Sequence, residues 1–214
     1  MIPIALLPGA SHFGSVASSQ HEQPDTTPGV ARAQWANIKL LALDVDGVLT
    51  DGGLTFDENG SLLQTFNVRD GFALVAARRA GLKIAWISGR ASRVAEHRFK
   101  ELDLHHCILA CGDKATAMRE LQHQYGFWPE HCCFVGDDLP DLPAFAQCGI
   151  RVAVADAVTE VLQRADYVTQ AGGGRGAVRE VIELILDAQG HWNELMSRFT
   201  QSDEASQSIE NLQR

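Results

Sequence analysis

Carboxylates occur in two closely spaced groups along the chain. Asp44 and Asp46 are separated by a single residue, and Asp137, Asp138 and Asp141 form the second group. If the fold brought these groups together, their negative charges would repel one another unless a cation lay between them. Carboxylate oxygens suit Mg²⁺, which keeps several waters and a phosphate oxygen as its other ligands. The two groups are therefore candidates for one magnesium site.

Ser88 and Lys114 carry the other groups that a phosphoryl-transfer site needs. A lysine beside Mg²⁺ neutralises charge on the transferring oxygens, and a serine hydroxyl donates a hydrogen bond to them. Each also has a plainer interpretation, Ser88 as a turn residue and Lys114 as a solvated surface charge. For Asp141 the plainer interpretation is a residue that only marks a helix end.

Short apolar runs alternate with helical segments from residue 39 onwards. Continuous apolar runs are typical of strands buried on both faces of a sheet. Here they cover 39–45, 82–87, 107–110, 132–136, 150–155 and 167–169. Helices are predicted over 70–80, 91–102, 114–125 and 177–188, with another from about residue 141. This alternation predicts an α/β fold built on a doubly wound parallel sheet.

The candidate residues lie where such a fold brings distant parts of the chain together. Asp44 lies at the end of the first buried strand, Ser88 follows the second and Asp137 follows the fourth. Lys114 opens a helix. Because ligands bind beyond the carboxyl ends of parallel strands, we expect all four side chains to meet at one edge of the sheet.

A β-hairpin is predicted between the first two buried strands. Residues 54–56 and 62–68 flank a turn in which Asn59-Gly60 is a strong hairpin signal. Asp70 can then cap the helix that follows. One face of the hairpin is mostly apolar, and an isolated hairpin is marginal in water, so another surface is expected to bury it.

The bulk composition is that of an acidic globular protein. Hydrophobic residues make up 45% of the chain, and the formal net charge is −9. Such a charge does not attract nucleic acid or anionic lipid, so neither is expected as a partner, and an anionic substrate needs local cations. The five cysteines, an odd number without CxxC spacing, indicate a reduced, cytoplasmic protein. No GxxxxGK[ST] motif is present, which argues against a P-loop protein.

Three regions differ in composition. Residues 1–34 are rich in Ser, Gly, Pro, Gln and Thr and are predicted to be a poorly ordered extension. Residues 193–214 are predicted to be a C-terminal tail, which looks similar in composition from about Ser197. The start of the chain lacks the basic residues of a signal peptide, and no segment approaches the roughly 20 apolar residues that span a bilayer. Residues 35–192 are therefore predicted to form one α/β domain.

Four motifs in the expected order resemble those of the haloacid dehalogenase superfamily. They read DVDG at 44–47, SGR at 88–90, DK at 113–114 and GDDLPD at 136–141. The resemblance implies a Rossmann-like core, with Asp44 as a nucleophile that forms an aspartyl phosphate and Asp46 as general acid and base. An Asp at this second position favours phosphatase over dehalogenase activity.

The same resemblance implies roles around the metal and the phosphoryl group. The implied Mg²⁺ ligands are Asp44, Asp137 and, through its backbone carbonyl, Asp46. The residues implied in orienting a metal-bound water or the lysine are Asp138 and Asp141. Those implied in catalysis beside the two aspartates of DVDG are Ser88 and Lys114.

The spacing of the motifs leaves no room for a cap domain. Between Asp46 and Ser88 the chain holds only the hairpin and one helix, and between Ser88 and Lys114 only one helix and one strand. A capless site is open to water unless the substrate is large or another subunit closes it.

A longer set of segments is similar to the capless 3-deoxy-D-manno-octulosonate 8-phosphate phosphatase family of lipopolysaccharide sugar synthesis. The similarity covers about 40–190 and includes NVRDG at 67–71, ISGR at 87–90 and GGGRGAVRE at 172–180. It implies a homotetramer that hydrolyses this sugar acid phosphate. The implied substrate contacts are Asp46, Asn67, Val68, Arg69, Asp70, Gly71, Arg90, Arg98 and Lys114.

Arginines are candidates for holding the carboxylate of such a substrate, because Arg forks match carboxylate geometry. The candidates are Arg69, Arg90, Arg98 and Arg175. For Arg98 and Arg175 the alternative is a solvated surface charge. The apolar segment 72–75 keeps a nine-carbon 2-keto-3-deoxy sugar acid phosphate as an alternative substrate. A catalytically idle subunit is the alternative of a different class, disfavoured because the carboxylate cluster is complete.

The assembly is expected to place active sites at subunit boundaries. A symmetric partner is the simplest surface that could bury the hairpin. The glycine loop, 172–176, is expected to be too glycine-rich to be held by its own packing. Arg175 in this loop is therefore a candidate to reach either its own site or a neighbour's.

Overall fold

A six-stranded parallel sheet forms the centre of the protein. The structure is a computed structural model, and it describes residues 29–200. The strands are β1 (Leu40–Leu43), β2 (Thr55–Phe56), β3 (Leu62–Leu63), β4 (Lys83–Ile87), β5 (His106–Ile108), β6 (Cys132–Gly136), β7 (Ile150–Ala153) and β8 (Tyr167–Val168). β2 and β3 form a separate antiparallel hairpin. The other six are ordered β5-β4-β1-β6-β7-β8, and each neighbouring pair is parallel. The predicted α/β fold is confirmed.

Helices cover the sheet in two layers. They are α1 (Arg32–Ala36), α2 (Val68–Arg79), α3 (Arg93–Glu101), α4 (Lys114–Tyr125), α5 (Leu142–Phe145), α6 (Thr159–Leu162) and α7 (Ala177–Ala188), and a further helix covers 191–200. In one layer α1 and α2 pack on α7, and in the other α4 packs on α5. Every residue of β1 and β6 is buried, which explains why both strands are continuous apolar runs. Among the described elements, no helix has the length and apolarity to cross a membrane.

β1 lies at the point where the strand order reverses. The chain adds β4 and β5 on one side of β1 and then returns to place β6 on the other side. Leu43, the last residue of β1, is in register with Trp86 of β4 and Val135 of β6. The residues that follow these three strands therefore share one edge, at the position where open α/β sheets bind ligands.

Helix α2 begins earlier than predicted. Its N-cap is Asn67, whose side-chain oxygen accepts a hydrogen bond from the backbone N–H of Arg69 at 2.8 Å, so Asp70 is not the cap. The predicted second hairpin strand, 62–68, is accordingly limited to Leu62–Leu63. An Asx side chain three residues upstream of Asp70 is the stronger cap because its backbone is extended, whereas Asp70 lies within the helix.

The packed domain extends past both predicted boundaries. Val30 and Trp35 are buried in the core, and α1 includes residues that the sequence assigned to a poorly ordered extension. At the other end, residues 193–200 continue a helix that begins at residue 191, and Phe199 contacts the ring of Phe72. Burial of Trp35 thus holds the first segment in the core, whereas the second segment is a helix that lies largely exposed on the surface. The predictions for 1–28 and 201–214 lie outside the described residues.

Candidate active site

Lys114 lies at the centre of the carboxylate cluster. Its ammonium group donates hydrogen bonds to Asp44 Oδ1 and to Asp141 Oδ1, each at 2.6 Å, and all three side chains are buried. Helix α4 begins at this lysine because Asp113 caps the helix, accepting from the backbone N–H groups of Ala115 and Thr116. Lys114 is therefore a buried ion-pair residue and not a solvated surface charge.

Asp141 connects this lysine to the loop that follows β6. Its other oxygen, Oδ2, accepts hydrogen bonds from the backbone N–H groups of Asp137 at 2.9 Å and Asp138 at 3.3 Å. The side chain of Asp138 instead accepts from the backbone N–H of Leu139 at 2.7 Å and is exposed. Orientation of the lysine thus falls to Asp141, which does more than mark a helix end.

Asp137 completes an oxygen-rich cluster that fits a divalent cation. One carboxylate oxygen from each of Asp44, Asp137 and Asp141 lies within 4.8 Å of the other two. Asp137 Oδ1 is buried and has no hydrogen-bond partner among residues 29–200. Gly47 makes room for this side chain, since a Cβ there would lie 2.1 Å from Asp137 Oδ2. A buried carboxylate without a partner is costly, and an all-oxygen donor set suits Mg²⁺.

Crowding of these carboxylates changes their protonation. Burial, and after it the charge of Asp141, raises the pKa of Asp44 to about 6. Burial, followed by the charges of Asp44 and Asp141, raises the pKa of Asp137 to about 8. Burial by itself would lower the pKa of Lys114, but Asp44 and Asp141 outweigh it and raise that pKa. A bound divalent cation would favour the charged carboxylates and oppose both carboxylate shifts.

Asp46 lies beside the cluster with donors on both of its oxygens. Oδ2 accepts a long hydrogen bond from Ser88 Oγ at 3.4 Å and lies 3.8 Å from Arg90 Nε. Oδ1 accepts a hydrogen bond from Gln64 Nε2 at 2.7 Å. Sequence reasoning missed Gln64, which follows β3 and belongs to none of the four motifs. Its only signal was a polar amide within the apolar run of the hairpin.

The NVRDG segment contacts the glycine loop. Asn67 donates from Nδ2 to the Gly174 carbonyl at 3.2 Å, and Asp70 Oδ1 accepts from the backbone N–H of Arg179 at 2.8 Å. Asp70 is buried, and burial raises its pKa. These contacts join the start of α2 to the start of α7. Val68 is exposed beside them. Substrate contacts by this segment stay a prediction.

The glycine loop is held in place by the rest of the protein, contrary to the expectation from its composition. The backbone N–H of Gly173 donates to Asp156 Oδ1 at 2.8 Å, and that of Gly174 donates to the Val48 carbonyl at 2.9 Å. A Cβ on Gly173 would lie only 1.7 Å from the Gly47 carbonyl oxygen. The glycines therefore allow a close approach to the segment that follows Asp44 and Asp46.

The four candidate arginines have different surroundings. Arg90 lies beside Asp46, the second aspartate of DVDG, as described above. Arg98 pairs with Glu101 at 2.8 Å and lies against Gly71. Arg69 and Arg175 line a shallow pocket of about 420 Å³ near the start of α7. The structure thus brings only Arg90 of these four, within residues 29–200, into contact with a residue of the carboxylate motifs.

Fold and site together define a class. A doubly wound sheet that presents a carboxylate pair after its central strand, with a buried lysine bridging toward the carboxylates of β6, is the architecture of haloacid dehalogenase-like hydrolases. A family model described as haloacid dehalogenase-like hydrolase matches residues 111–182, which include Lys114 and Asp137.

Comparison with individual relatives identifies one family within this class. The 3-deoxy-D-manno-octulosonate 8-phosphate phosphatase KdsC of Escherichia coli (strain K12) is 43% identical over 171 residues, which are 80% of this chain and 90% of that protein. The chain belongs to the 3-deoxy-D-manno-octulosonate 8-phosphate phosphatase family.

Solved structures of relatives share the fold. The Moraxella catarrhalis phosphatase, in complex with magnesium ion, phosphate ion and a KDO molecule, matches with a TM-score of 0.76 and 39% identity, covering 78% of this chain and 97% of that chain. The cobalt-bound Haemophilus influenzae phosphatase matches with a TM-score of 0.71 and 42% identity, covering 74% and 93% of the two chains.

Proposed function

We propose that this protein is a Mg²⁺-dependent phosphatase that converts 3-deoxy-D-manno-octulosonate 8-phosphate to the free sugar acid and phosphate in lipopolysaccharide biosynthesis. The observation that carries the proposal is the buried Lys114, which binds Asp44 and Asp141 beside the unpartnered oxygen of Asp137. Relatives named for this activity match over most of the described chain. The nine-carbon substrate is not favoured, because those relatives are named for the eight-carbon sugar.

Asp44, Asp137 and the backbone carbonyl of Asp46 would hold the Mg²⁺. When bound, Mg²⁺ would neutralise negative charge on the phosphoryl oxygens and on the carboxylates. Asp141 holds Lys114 and the backbone of the loop after β6 in place. The lysine would then face a phosphoryl group bound at Asp44. Ser88 would donate a hydrogen bond to a phosphoryl oxygen.

The reaction has two steps at phosphorus. The Asp44 carboxylate attacks phosphorus, the bond from phosphorus to the sugar oxygen breaks, and Asp46 donates a proton to that oxygen. The now deprotonated Asp46 then accepts a proton from water, whose oxygen attacks the aspartyl phosphate. This attack releases inorganic phosphate and regenerates Asp44. Lys114 stabilises the charge on the transferring oxygens in both steps.

The sugar acid requires cations at a distance from the phosphoryl group. Arg90 is the first candidate because it lies beside Asp46. Arg98 lies in α3 and against Gly71 of α2, whereas Arg69 and Arg175 lie near the glycine loop. We assign the substrate carboxylate and hydroxyls to these arginines together with residues 67–71, as a set to be tested by substitution.

Phosphate release from a panel of sugar phosphates tests the function. The eight-carbon sugar acid phosphate is expected to be hydrolysed best with Mg²⁺ present, and EDTA should abolish turnover until Mg²⁺ is restored. A preference for the nine-carbon homologue would overturn the substrate. Full turnover in EDTA would overturn the role of the metal, and absence of hydrolysis with every phosphate would favour an idle subunit.

The protein is further proposed to act as a cytoplasmic homotetramer. Support for assembly comes from the hairpin, where Leu54, Phe56 and Leu63 are exposed. Support for the compartment comes from the five cysteines, all of which lie in the described chain as thiols.

A further inference from the structure

A chain of hydrogen bonds leads from the start of α3 to Asp46. Ser92 is the N-cap of α3, and its Oγ accepts from the backbone N–H of Ala95 at 3.1 Å. The same hydroxyl donates to Gln64 Oε1 at 2.6 Å, and Gln64 Nε2 donates to Asp46 Oδ1 at 2.7 Å. A buried serine thus reaches the aspartate of the active site through one amide side chain.

The direction of these bonds follows from the chemistry of each group. Because Ser92 Oγ accepts from a backbone amide, its own proton is directed to the oxygen of Gln64. The amide nitrogen of Gln64 then faces Asp46, where a carboxylate can only accept while ionised. The opposite amide orientation would set two oxygens against each other at Asp46. Ser92 therefore fixes Gln64, and Gln64 fixes the Asp46 carboxylate.

We propose that Gln64 is a positioning residue for proton transfer by Asp46. With Oδ1 held by Gln64, the other oxygen of Asp46, Oδ2, is the one that faces Ser88 and Arg90. In this arrangement Oδ2 exchanges the proton with the leaving sugar oxygen. This inference rests on the proposed role of Asp46 as general acid, and Gln64 itself does not touch the reacting atoms.

The dependence of activity on the leaving group tests this role. A sugar alkoxide leaves only if it is protonated, whereas the leaving group of 4-nitrophenyl phosphate departs without an acid. The value of kcat/KM covers the steps up to departure of the leaving group, so the later work of Asp46 as a base does not enter. Gln64→Met keeps the length of the side chain and removes the donor.

Gln64→Met is expected to lower kcat/KM for the sugar acid phosphate about 10-fold, a fraction of the full contribution of a general acid. The value for 4-nitrophenyl phosphate and inhibition by the free sugar acid should stay within about 2-fold, which separates positioning from loss of binding. Equal losses with both substrates would show that Gln64 only supports the hairpin, and would overturn the proposal.

Two substitutions at Ser92 form a matched pair in which residue 64 itself stays a glutamine. Ser92→Thr keeps both the helix cap and the hydroxyl donor, so it should behave as wild type. Ser92→Asp keeps the cap but presents an acceptor to Gln64 Oε1, so it should reproduce the loss specific to the sugar phosphate. This pair also carries the test if Gln64→Met fails to fold, and wild-type selectivity in Ser92→Asp would overturn the proposal.

Asp46→Asn separates failure of this inference from failure of the proposed function. If Asp46→Asn lowers kcat/KM for both substrates equally, Asp46 is not the general acid. Its proposed role in the reaction and the positioning role of Gln64 are then both overturned. If Asp46→Asn spares 4-nitrophenyl phosphate but Gln64→Met does not, the positioning role alone is overturned.

Discussion

Asp44 must be charged to attack phosphorus, and its surroundings act on that charge in both directions. Burial and the neighbouring Asp141 raise its pKa to about 6, while Lys114 at 2.6 Å lowers it. The lysine therefore does two things, since it favours the ionised form and fixes the orientation of the carboxylate. Removing one partner of such a buried pair typically costs about 3–5 kcal/mol, because the other charge is left uncompensated.

Asp44→Asn is expected to lower turnover of the sugar acid phosphate by about four orders of magnitude or more, as for other removed nucleophiles. The amide keeps the shape of the side chain and can still accept from Lys114, but it lacks the attacking charge. Phosphate release under saturating substrate measures the effect. Asp103→Asn, the same change at an exposed residue paired with Arg78, is the control and should be fully active. Retention of a tenth of the activity by Asp44→Asn would place the nucleophile elsewhere.

Among the elements, the glycine loop supports the nucleophile segment directly. Gly173 and Gly174 lie against residues 47–50. From the start of α2, Asn67 holds the loop at Gly174 and Asp70 holds the first turn of α7. The loop, α2 and α7 therefore form one connected support behind DVDG. A substitution in the loop should therefore shift the backbone around Asp44, although the loop contributes no side chain to the carboxylate cluster.

Gly173→Ala tests this support, because the added Cβ would lie 1.7 Å from the Gly47 carbonyl oxygen. Relief of that clash requires a backbone shift, so we expect the free energy of unfolding to fall by about 1–3 kcal/mol. Turnover should fall about 10-fold or more, as for other small displacements of catalytic groups. Urea unfolding and phosphate release measure the two effects. Gly112→Ala, which adds a Cβ with no neighbour within 4 Å, should change neither; equal behaviour of the two variants would contradict the role of the loop.

The bounds of α4 were predictable to the residue, whereas the cap of α2 was missed. α4 was expected from Lys114 to Tyr125 and has those bounds, because Asp113 caps its start and Gly126 ends it in the left-handed region. The convergence of the carboxylates was likewise predictable, since it follows from the ends of parallel strands. Helix α1 could not be predicted from the sequence, because Trp35 contacts the ring of Tyr167, which lies far along the chain.

Contacts between side chains of different elements were the part of the site that the sequence could not supply. The role of Gln64 depends on where the hairpin places an amide relative to Asp46 and Ser92. A single amide has no periodicity or cap signal that would mark it. Asp70 was predicted to cap α2, yet its observed partner is the backbone of α7, for the same reason. Its contact with substrate stays a prediction.

The carboxylate cluster links metal binding to the stability of the folded protein. The pKa values of about 6 for Asp44 and about 8 for Asp137 lie above the ordinary value of 3.8. At pH values between the ordinary pKa and the raised pKa, the folded protein keeps protons that the unfolded chain has released. The free energy of unfolding of the EDTA-treated protein should therefore fall as pH rises from about 4 to about 8. Mg²⁺ takes the place of those protons at high pH.

The increase in Tm on adding Mg²⁺ should therefore be larger near about pH 8 than near about pH 5. Thermal unfolding followed by circular dichroism at the two pH values, with Mg²⁺ or with EDTA, measures this difference. Asp137→Asn removes one of the two titrating carboxylates and should reduce it. An increase of equal size at both pH values would show that these carboxylates do not hold the metal.

The hairpin leaves apolar surface that its own chain does not cover. Leu54, Phe56 and Leu63 are 43%, 57% and 55% exposed on a two-stranded ribbon, which is marginal by itself. We expect a charge at this surface to disrupt assembly. Phe56→Glu should give monomers by light scattering, whereas Glu58→Lys, a charge change at the tip of the hairpin, should stay tetrameric. A wild-type protein that is monomeric and fully active would contradict the proposed homotetramer.

If sites lie at subunit boundaries, two inactive variants should complement each other. The side chain of Arg175 is 70% exposed, and its ion pair with Asp51 is long, at 3.8 Å, so the guanidinium is free to turn toward a neighbouring subunit. Asp44→Asn chains supply an intact Arg175 and Arg175→Ala chains an intact Asp44. Random mixing in equal amounts places both intact residues together at about a quarter of the boundaries, so about a quarter of wild-type activity should return. Phosphate release from mixed tetramers, verified by light scattering and tag-based co-purification, measures this recovery. Absence of recovery in proven mixed tetramers would confine Arg175 to its own chain while leaving the tetramer itself intact.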